Sequence, residues 1–272
     1  MTVTSSKAKA MGAFLKSRRE RLSPGAAGVE ITNGQRRTPG LRREEVAVLA
    51  GVSITYYTWL EQGRDLTPSK DVIDSIAAAL RLSPEEKGHL YQLWNPHAAE
   101  TPLLAAAAVD PQMQRIIEQL SFPSHITNER TEVLAWNKAA EEMFFDFGSI
   151  PVKERYFIRL LFEDSEMRRQ ILNIEEFSRY SVGVFRTYYD QHRDDPWFEE
   201  TVKHLTQNSS EFERIWNQYE IQLKKVKRIS LQSSAVQQTV HYDIQSLVNL
   251  TDRPDINICI YTPVIDSSTT DC

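Results

Sequence analysis

The spacing of apolar residues predicts helices in the first third of this chain and a mixture of helices and strands in the rest. Residues 41–64 contain two short segments with apolar side chains at helical spacing. The residues predicted to face inward are Val46, Leu49 and Ala50 in the first segment and Ile54, Tyr57 and Leu60 in the second. Gly51 allows a sharp turn between the segments, and Ser53 can cap the second helix. The pattern is typical of a helix-turn-helix unit, and its alternative is an ordinary helical hairpin within a larger core.

Three further helices are predicted around this unit. The first runs from Ala10 to Leu22 and ends at a Ser-Pro-Gly break. Another begins at residues 67–69, and the last begins with a capping box at Ser83-Pro84-Glu85-Glu86. Residues 1–95 therefore form an all-α domain.

We expect the second helix of the unit to contact DNA through its outward side, because such a helix lies in the major groove. The candidates for contacts to bases are Ser53, Thr55, Tyr56 and Trp59. The candidates for contacts to phosphates are Arg36, Arg37, Arg42, Arg43 and Arg64. Two alternatives stay open, since Arg36 and Arg37 also fit a solvated loop, and Arg42 and Arg43 also fit pairing with nearby glutamates.

The charge distribution agrees with a DNA-binding first domain. The whole chain has a net charge of −5, but its first sixty residues contain 10 basic and 4 acidic side chains. Residues 96–272 are acidic, with 18 basic and 27 acidic side chains. A basic head on an acidic body indicates nucleic-acid binding by the head alone.

Residues 96–110 are predicted to be a linker, and residues 111–272 a second domain. A strand pair is expected on either side of 128–130, followed by a helix capped by Asn137. Helices rich in aromatic residues occupy the middle, and three strands follow within 226–262. This order is that of a PAS-like sensor domain and makes the chain α+β overall.

Several functions lack any signature in the sequence. No phosphate-binding loop, nucleophile elbow or metal-ligand spacing occurs, so no enzyme activity, metal or cofactor is expected. Ser124 and His125 are the strongest catalytic candidates, but neighbours on a strand point to opposite faces. Without a secretory signal, a membrane-spanning segment or a cysteine framework, the chain is expected to work in the cytoplasm without membrane insertion.

Motifs in both domains resemble one group of bacterial regulators. Residues 36–47 (RRTPGLRREEVA), followed by Gly51-Val52-Ser53 and by Leu60-Glu61-Gln62-Gly63-Arg64, are similar to XRE-type helix-turn-helix regulators. Residues 133–137 (VLAWN) and 159–162 (RLLF) resemble the MmyB-like ligand-binding domain that one branch of them carries. The resemblance implies a lambda-repressor-like first domain, double-stranded DNA as a partner, and a fatty-acyl-like molecule bound in the second domain.

A ligand pocket is therefore expected among the aromatic residues of the second domain. The candidates for its lining are Trp136, Phe144, Phe157, Leu161, Phe177, Val184, Tyr188 and Trp216, with Arg155 as the candidate partner of a carboxylate. The alternative is that these residues pack on one another in a solid core. One departure puts the ligand's identity in doubt, since Arg155-Tyr156 stands where the family commonly has Arg-Asn.

The sequence thus predicts a transcription regulator with a DNA-reading head and a ligand-sensing body. A homodimer is expected, because one recognition helix reads only a few base pairs and a two-fold dimer presents two. The competing hypothesis is a DNA-binding protein whose body only dimerises, binds another protein, or is a degenerate enzyme.

Overall fold

The computed structural model describes residues 6–29, 39–94, 109–144, 146–193, 195–222, 226–232, 238–247 and 255–264. Arg36, Arg37 and all of the predicted linker except residues 109 and 110 lie outside these ranges. The chain divides into two compact units, one of Met1–Glu100 with Tyr189–Glu200 and the other of Thr101–Tyr188 with Thr201–Cys272. The first unit is helical and the second contains a five-stranded sheet, so the α+β prediction is confirmed.

Six helices from the first hundred residues build most of the first unit. They are α1 (Ser6–Arg21), α2 (Pro24–Ala27), α3 (Arg43–Ala50), α4 (Ile54–Glu61), α5 (Lys70–Ala79) and α6 (Pro84–Trp94). Side-chain hydroxyls cap four of them, because Ser23, Ser53, Ser69 and Ser83 each accept a hydrogen bond from a backbone N–H of the first turn. The predicted capping box before α6 is confirmed, since Ser83 and Glu86 exchange bonds between side chain and backbone.

The turn between α3 and α4 has the predicted geometry. Gly51 has a φ of 66°, a left-handed conformation that a side chain would strain, and Ser53 then starts α4. A second glycine, Gly12 of α1, lets that helix approach the backbone of Leu60 and Glu61 so closely that a Cβ would lie 2.5 Å from the carbonyl oxygen of Glu61. Backbone contact between α1 and α4 therefore depends on this glycine.

Two residues predicted to face the core do not lie there. Leu49 is 41% exposed and Ile54 is 51% exposed. Each of the two helices, α3 and α4, contains only eight residues and therefore has a narrow inner face. In α3 this face is already filled by Val46, Ala47 and Ala50. The predicted inward positions Tyr57 and Leu60 of α4 are fully buried.

The second unit combines short strands with several helices. Its strands are β1 (Ser124–Asn128), β2 (Val133–Trp136), β3 (Lys227–Gln232), β4 (Thr239–Leu247) and β5 (Ile256–Pro263). Its helices are α7 (Pro111–Glu118), α8 (Lys138–Met143), α9 (Phe157–Glu163), α10 (Ser165–Gln170), α11 (Ile174–Gln191), α12 (Pro196–Asn208) and α13 (Ser210–Asn217). The end of α11 and the start of α12 belong to the first unit.

The strands form one antiparallel sheet in the order β2-β1-β5-β4-β3. On one face, Ile126 of β1 lies opposite Ile258 of β5, and both pack against Ile117 of α7. On the other face, His125 lies opposite Cys259, and Tyr261 lies opposite Ile244. The sheet therefore has two faces of different composition. One is covered by α7, and the other faces α9 and α11.

Asn137 holds three elements of the second unit together. Its Oδ1 accepts hydrogen bonds from the backbone N–H groups of Ser124 and Ala140, each at 3.0 Å, which confirms the predicted cap of α8. Its Nδ2 donates to the backbone carbonyls of Ile117 and Phe122 at 3.1 and 2.8 Å. A buried amide with both ends used in this way fixes the start of α8 against the sheet and α7.

Candidate DNA-reading face and ligand cavity

The outward face of α4 carries the four residues predicted to contact bases. Ser53, Thr55 and Trp59 are exposed, and Tyr56 is half-buried, so that burial raises the pKa of its hydroxyl. The Ser53 hydroxyl accepts a hydrogen bond from the backbone N–H of Tyr56 at 3.1 Å. This bond already uses one lone pair of the Ser53 hydroxyl. On this face, Thr55 and Trp59 are therefore the side chains most open to a ligand.

The arginines predicted to bind phosphate have different surroundings. The guanidinium of Arg64 lies over the ring of Trp59, 5.0 Å from its centroid, and the residue is exposed at the end of α4. Arg42 is also exposed, 3.6 Å from a carboxylate oxygen of Glu44. The Nε of Arg43 donates to Glu61 at 2.7 Å, so part of its charge is already neutralised within the unit.

A buried ion pair lies beneath this face. The side chain of Glu61, on α4, is 1% exposed, and it accepts two hydrogen bonds from Arg19 of α1. Arg19 also donates to the backbone carbonyl of Leu41 at 2.9 Å. Although burial alone would lower the pKa of Arg19, the bonds and charge of Glu61 raise it above its ordinary value. The pair therefore joins α1, the segment before α3, and α4.

The second unit contains a small cavity between the sheet and two helices. Its volume is about 80 Å³. The strands β1, β4 and β5 contribute one wall, while α9 and α11 contribute the other. The cavity is lined by His125, Thr127, Thr131, Phe157, Ile158, Phe177, Tyr180, Ser181, Val184, Ile244, Ser246, Cys259 and Tyr261.

Three of the nine residues predicted to bind the ligand line this cavity, namely Phe157, Phe177 and Val184. Phe144 lies behind them, with its ring centroid 6.4 Å from that of His125 and 6.1 Å from that of Phe157. The remaining five predicted residues, Trp136, Arg155, Leu161, Tyr188 and Trp216, are placed outside the cavity lining.

The surroundings of those residues explain their positions. Trp136 donates from its indole to Glu141 at 2.7 Å, and the guanidinium of Arg155 lies 4.8 Å from the centre of the Trp136 rings. Arg155 also donates to the backbone carbonyl of Ile150 at 2.8 Å, and burial raises the pKa of the Tyr188 hydroxyl above its ordinary value. Trp216 stacks on Phe212, and Leu161 is completely buried. All five thus have structural partners where they stand.

Sequence reasoning missed ten of the thirteen lining residues. A helical period could have found two of them, because Tyr180 and Ser181 share a face of α11 with Phe177 and Val184. Alternation could have paired His125 with Thr127 on one face of β1. Which face of the sheet lines the cavity, however, depends on the side that α11 covers. No local sequence pattern indicates that side.

The polar members of the lining differ in how far their hydrogen-bonding capacity is used. Ser246 and Cys259 lie 3.8 Å apart, oxygen to sulfur, and burial raises the pKa of Tyr261 well above its ordinary range. His125 is 2% exposed, and its Nδ1 has no hydrogen-bond partner among the described residues. Buried ring nitrogens are normally hydrogen-bonded, so this one is an exception.

The described residues show neither a cluster of metal ligands nor an apolar helix of membrane-spanning length. Within those ranges no group of three or more His, Cys, Asp or Glu side chains is placed to hold a metal ion. None of the helices within the same ranges is both long and apolar enough to cross a membrane.

A helix-turn-helix unit and a separate α+β unit with its own cavity, in one chain, define a ligand-responsive, DNA-binding transcription regulator. Sequence profiles of two known domains match the chain: a helix-turn-helix domain over residues 10–90, and the MmyB-like transcription regulator ligand binding domain over residues 109–272. None of the curated proteins compared with the chain matches it. Since the second profile covers more than half of the sequence, the chain belongs to the MmyB-like transcription regulators, as its motifs had predicted.

Proposed function

We propose that this protein controls transcription by binding an operator as a homodimer, and that a small acyl-type molecule in the cavity of the second unit changes its affinity for DNA. The observation that carries the proposal is a cavity with a mostly apolar lining inside a domain of the MmyB-like ligand-binding family. The proposal gives the chain no catalytic step and places its work in the cytoplasm.

On the DNA side, the proposal assigns sequence reading to Thr55, Tyr56 and Trp59. These side chains occupy the outward face of α4, which a helix-turn-helix unit lays in the major groove. Arg42 and Arg64 are assigned to phosphates, because both are exposed beside that face. Arg43 is assigned a shared role, since its bond to Glu61 would have to weaken before it could reach a phosphate.

On the ligand side, aromatic and aliphatic side chains supply most of the cavity wall. Burying one methylene group of a ligand there stabilises the complex by about 0.8 kcal/mol, so a short acyl chain suffices for measurable binding. The volume of about 80 Å³ is smaller than the roughly 300–1,000 Å³ usual for ligand pockets. A long fatty-acid chain would therefore require α11 to move away from the sheet.

The DNA assignment is tested by selecting duplexes from a random pool with the full-length protein. One sequence family should be enriched, and the affinity for it should fall steeply with salt. Binding without salt dependence, or without any sequence preference, would contradict the assignment. Light scattering should show a dimer on the selected duplex, and a monomer there would remove the two-fold arrangement.

The ligand assignment is tested by mass spectrometry of denatured protein for a co-purified acyl compound. A thermal-shift series with acyl compounds of increasing chain length complements it. Stabilisation by short or medium chains, together with a change in operator affinity, is the expected result. If no compound is found and no shift occurs, the protein still binds DNA, but its body has another role.

A further inference from the structure

The charge of the cavity wall limits what its ligand can be. None of the thirteen lining residues is Lys, Arg, Asp or Glu. Their polar groups are hydroxyls, one thiol and the imidazole of His125. An ionised carboxylate placed here would lose hydration without meeting a cation, which is unfavourable. The wall therefore favours a ligand without a charge.

The arginine that the sequence suggested for a carboxylate does not alter this conclusion. Arg155 does not line the cavity, and its guanidinium is already held by the ring of Trp136 and by the carbonyl of Ile150. To reach the cavity it would have to give up both contacts. The guanidinium therefore serves a structural role at the entrance to α9, as a link between two neighbouring segments.

Among the lining side chains, His125 has a buried ring nitrogen without a hydrogen-bond partner in the described residues. Its ring stacks on Phe157 at a centroid distance of 5.4 Å and an angle of 15°, and the ring of Tyr261 lies 5.6 Å away. Phe144 and Phe147 lie within 6.4 Å, so the imidazole is enclosed by four aromatic rings. Nδ1 is buried without a partner, which leaves a hydrogen bond unmade inside an apolar wall.

We propose that the cavity binds short acyl compounds with an uncharged head, such as amides or esters, whose carbonyl oxygen accepts a hydrogen bond from Nδ1 of His125. Free carboxylates of the same chain length are rejected. This inference rests on the proposed function and specifies its ligand. A carboxylate paired with a protonated imidazole is disfavoured, because two charges would then lie among four aromatic rings.

The test uses the full-length protein and two probes, hexanamide and hexanoate, at neutral pH. Calorimetry should show that hexanamide binds and that hexanoate binds on the order of a hundredfold more weakly, or not at all. The two probes share an apolar chain, so the difference reports the head group alone. Equal or tighter binding of hexanoate would overturn the inference.

Two substitutions of similar volume locate the hydrogen bond. His125→Leu should weaken hexanamide binding by about tenfold or more, because the carbonyl oxygen loses its donor. His125→Gln keeps an amide donor and should retain most of the affinity. Circular dichroism and thermal unfolding establish that both variants are folded. An equal loss in the two variants would mean that His125 only fills space, and it would also overturn the inference.

These outcomes separate the inference from the function on which it rests. If neither probe binds, the assignment of a small carbonyl ligand is wrong, while the operator selection still decides DNA binding. If hexanoate binds and changes operator affinity, the regulator stands and only the uncharged head is refuted.

Discussion

The buried pair between Arg19 and Glu61 makes the sharpest stability prediction for the first unit. Replacing Glu61 by Leu removes the buried carboxylate partner of Arg19, whose side chain is 6% exposed, and leaves it only the more exposed carboxylate of Glu20 at 3.4 Å. Breaking one partner of a buried ion pair costs about 3–5 kcal/mol. We expect the lower part of this range, because Arg19 keeps its bond to the carbonyl of Leu41.

The neighbouring pair supplies an internal control. Arg43 also donates to Glu61, but its side chain is 43% exposed. Exposed pairs contribute only about 0–1 kcal/mol, so Arg43→Ala should be nearly neutral. Replacing both members of the buried pair, as Arg19→Met with Glu61→Leu, should recover most of the loss, since no charge then remains buried.

Hydrogen exchange of the full-length protein measures this locally, through peptides that cover residues 54–64. The free energy of opening of α4 should fall in Glu61→Leu and return in the double variant, while peptides of the second unit stay unchanged. The reasoning is refuted if Glu61→Leu stays within about 1 kcal/mol of the parent, or if the double variant is as unstable as the single one.

Three further predictions concern DNA, the cavity and pH. Arg64→Ala should weaken all duplexes alike and lower the salt slope by about one, whereas Thr55→Ala should change sequence preference by roughly 1–3 kcal/mol per lost base contact; binding titrations at several salt concentrations distinguish them. Val184→Trp should abolish hexanamide binding in calorimetry while the protein stays folded; a loss of about 1–3 kcal/mol of stability would instead indicate a solid core. The hydrogen bond from Lys87 lowers the pKa of Asp74 below its ordinary value of 3.8, so its stabilising contribution is present above that pH and is lost below it. An NMR titration that finds an ordinary or raised pKa for Asp74 would contradict this.

The starts of several helices could be predicted because the signals are local. Ser53, Ser83 and Asn137 each cap a helix through a bond to a residue three positions away. Gly51 takes the left-handed conformation that the turn requires. Contacts over so few residues depend little on the rest of the chain, and for that reason the helix-turn-helix unit and the late strands could be read directly from the sequence.

Burial on single helices was less predictable. Leu49 and Ile54 have the right spacing for a core and still lie at the surface, because each short helix has room for only a few inward side chains. The sequence also could not state that Tyr189–Glu200 belongs to the first unit, although these residues follow a helix of the second. In that unit, His89 and Asp190 are both fully buried and lie 3.3 Å apart.

The cavity was decided by tertiary structure alone. Its lining joins His125 on β1 with Val184 on α11 and Tyr261 on β5, residues separated by up to 136 positions in the chain. Strand alternation predicts that His125 and Thr127 share a face of β1. Only the packing of α11 determines that this face lines the cavity. By itself the sequence determined the regulator's two parts and the helix proposed to read DNA. Only the tertiary structure enclosed His125 among aromatic rings. The physical reason is that side chains from distant segments meet only after the strands have paired and the helices have packed on the sheet.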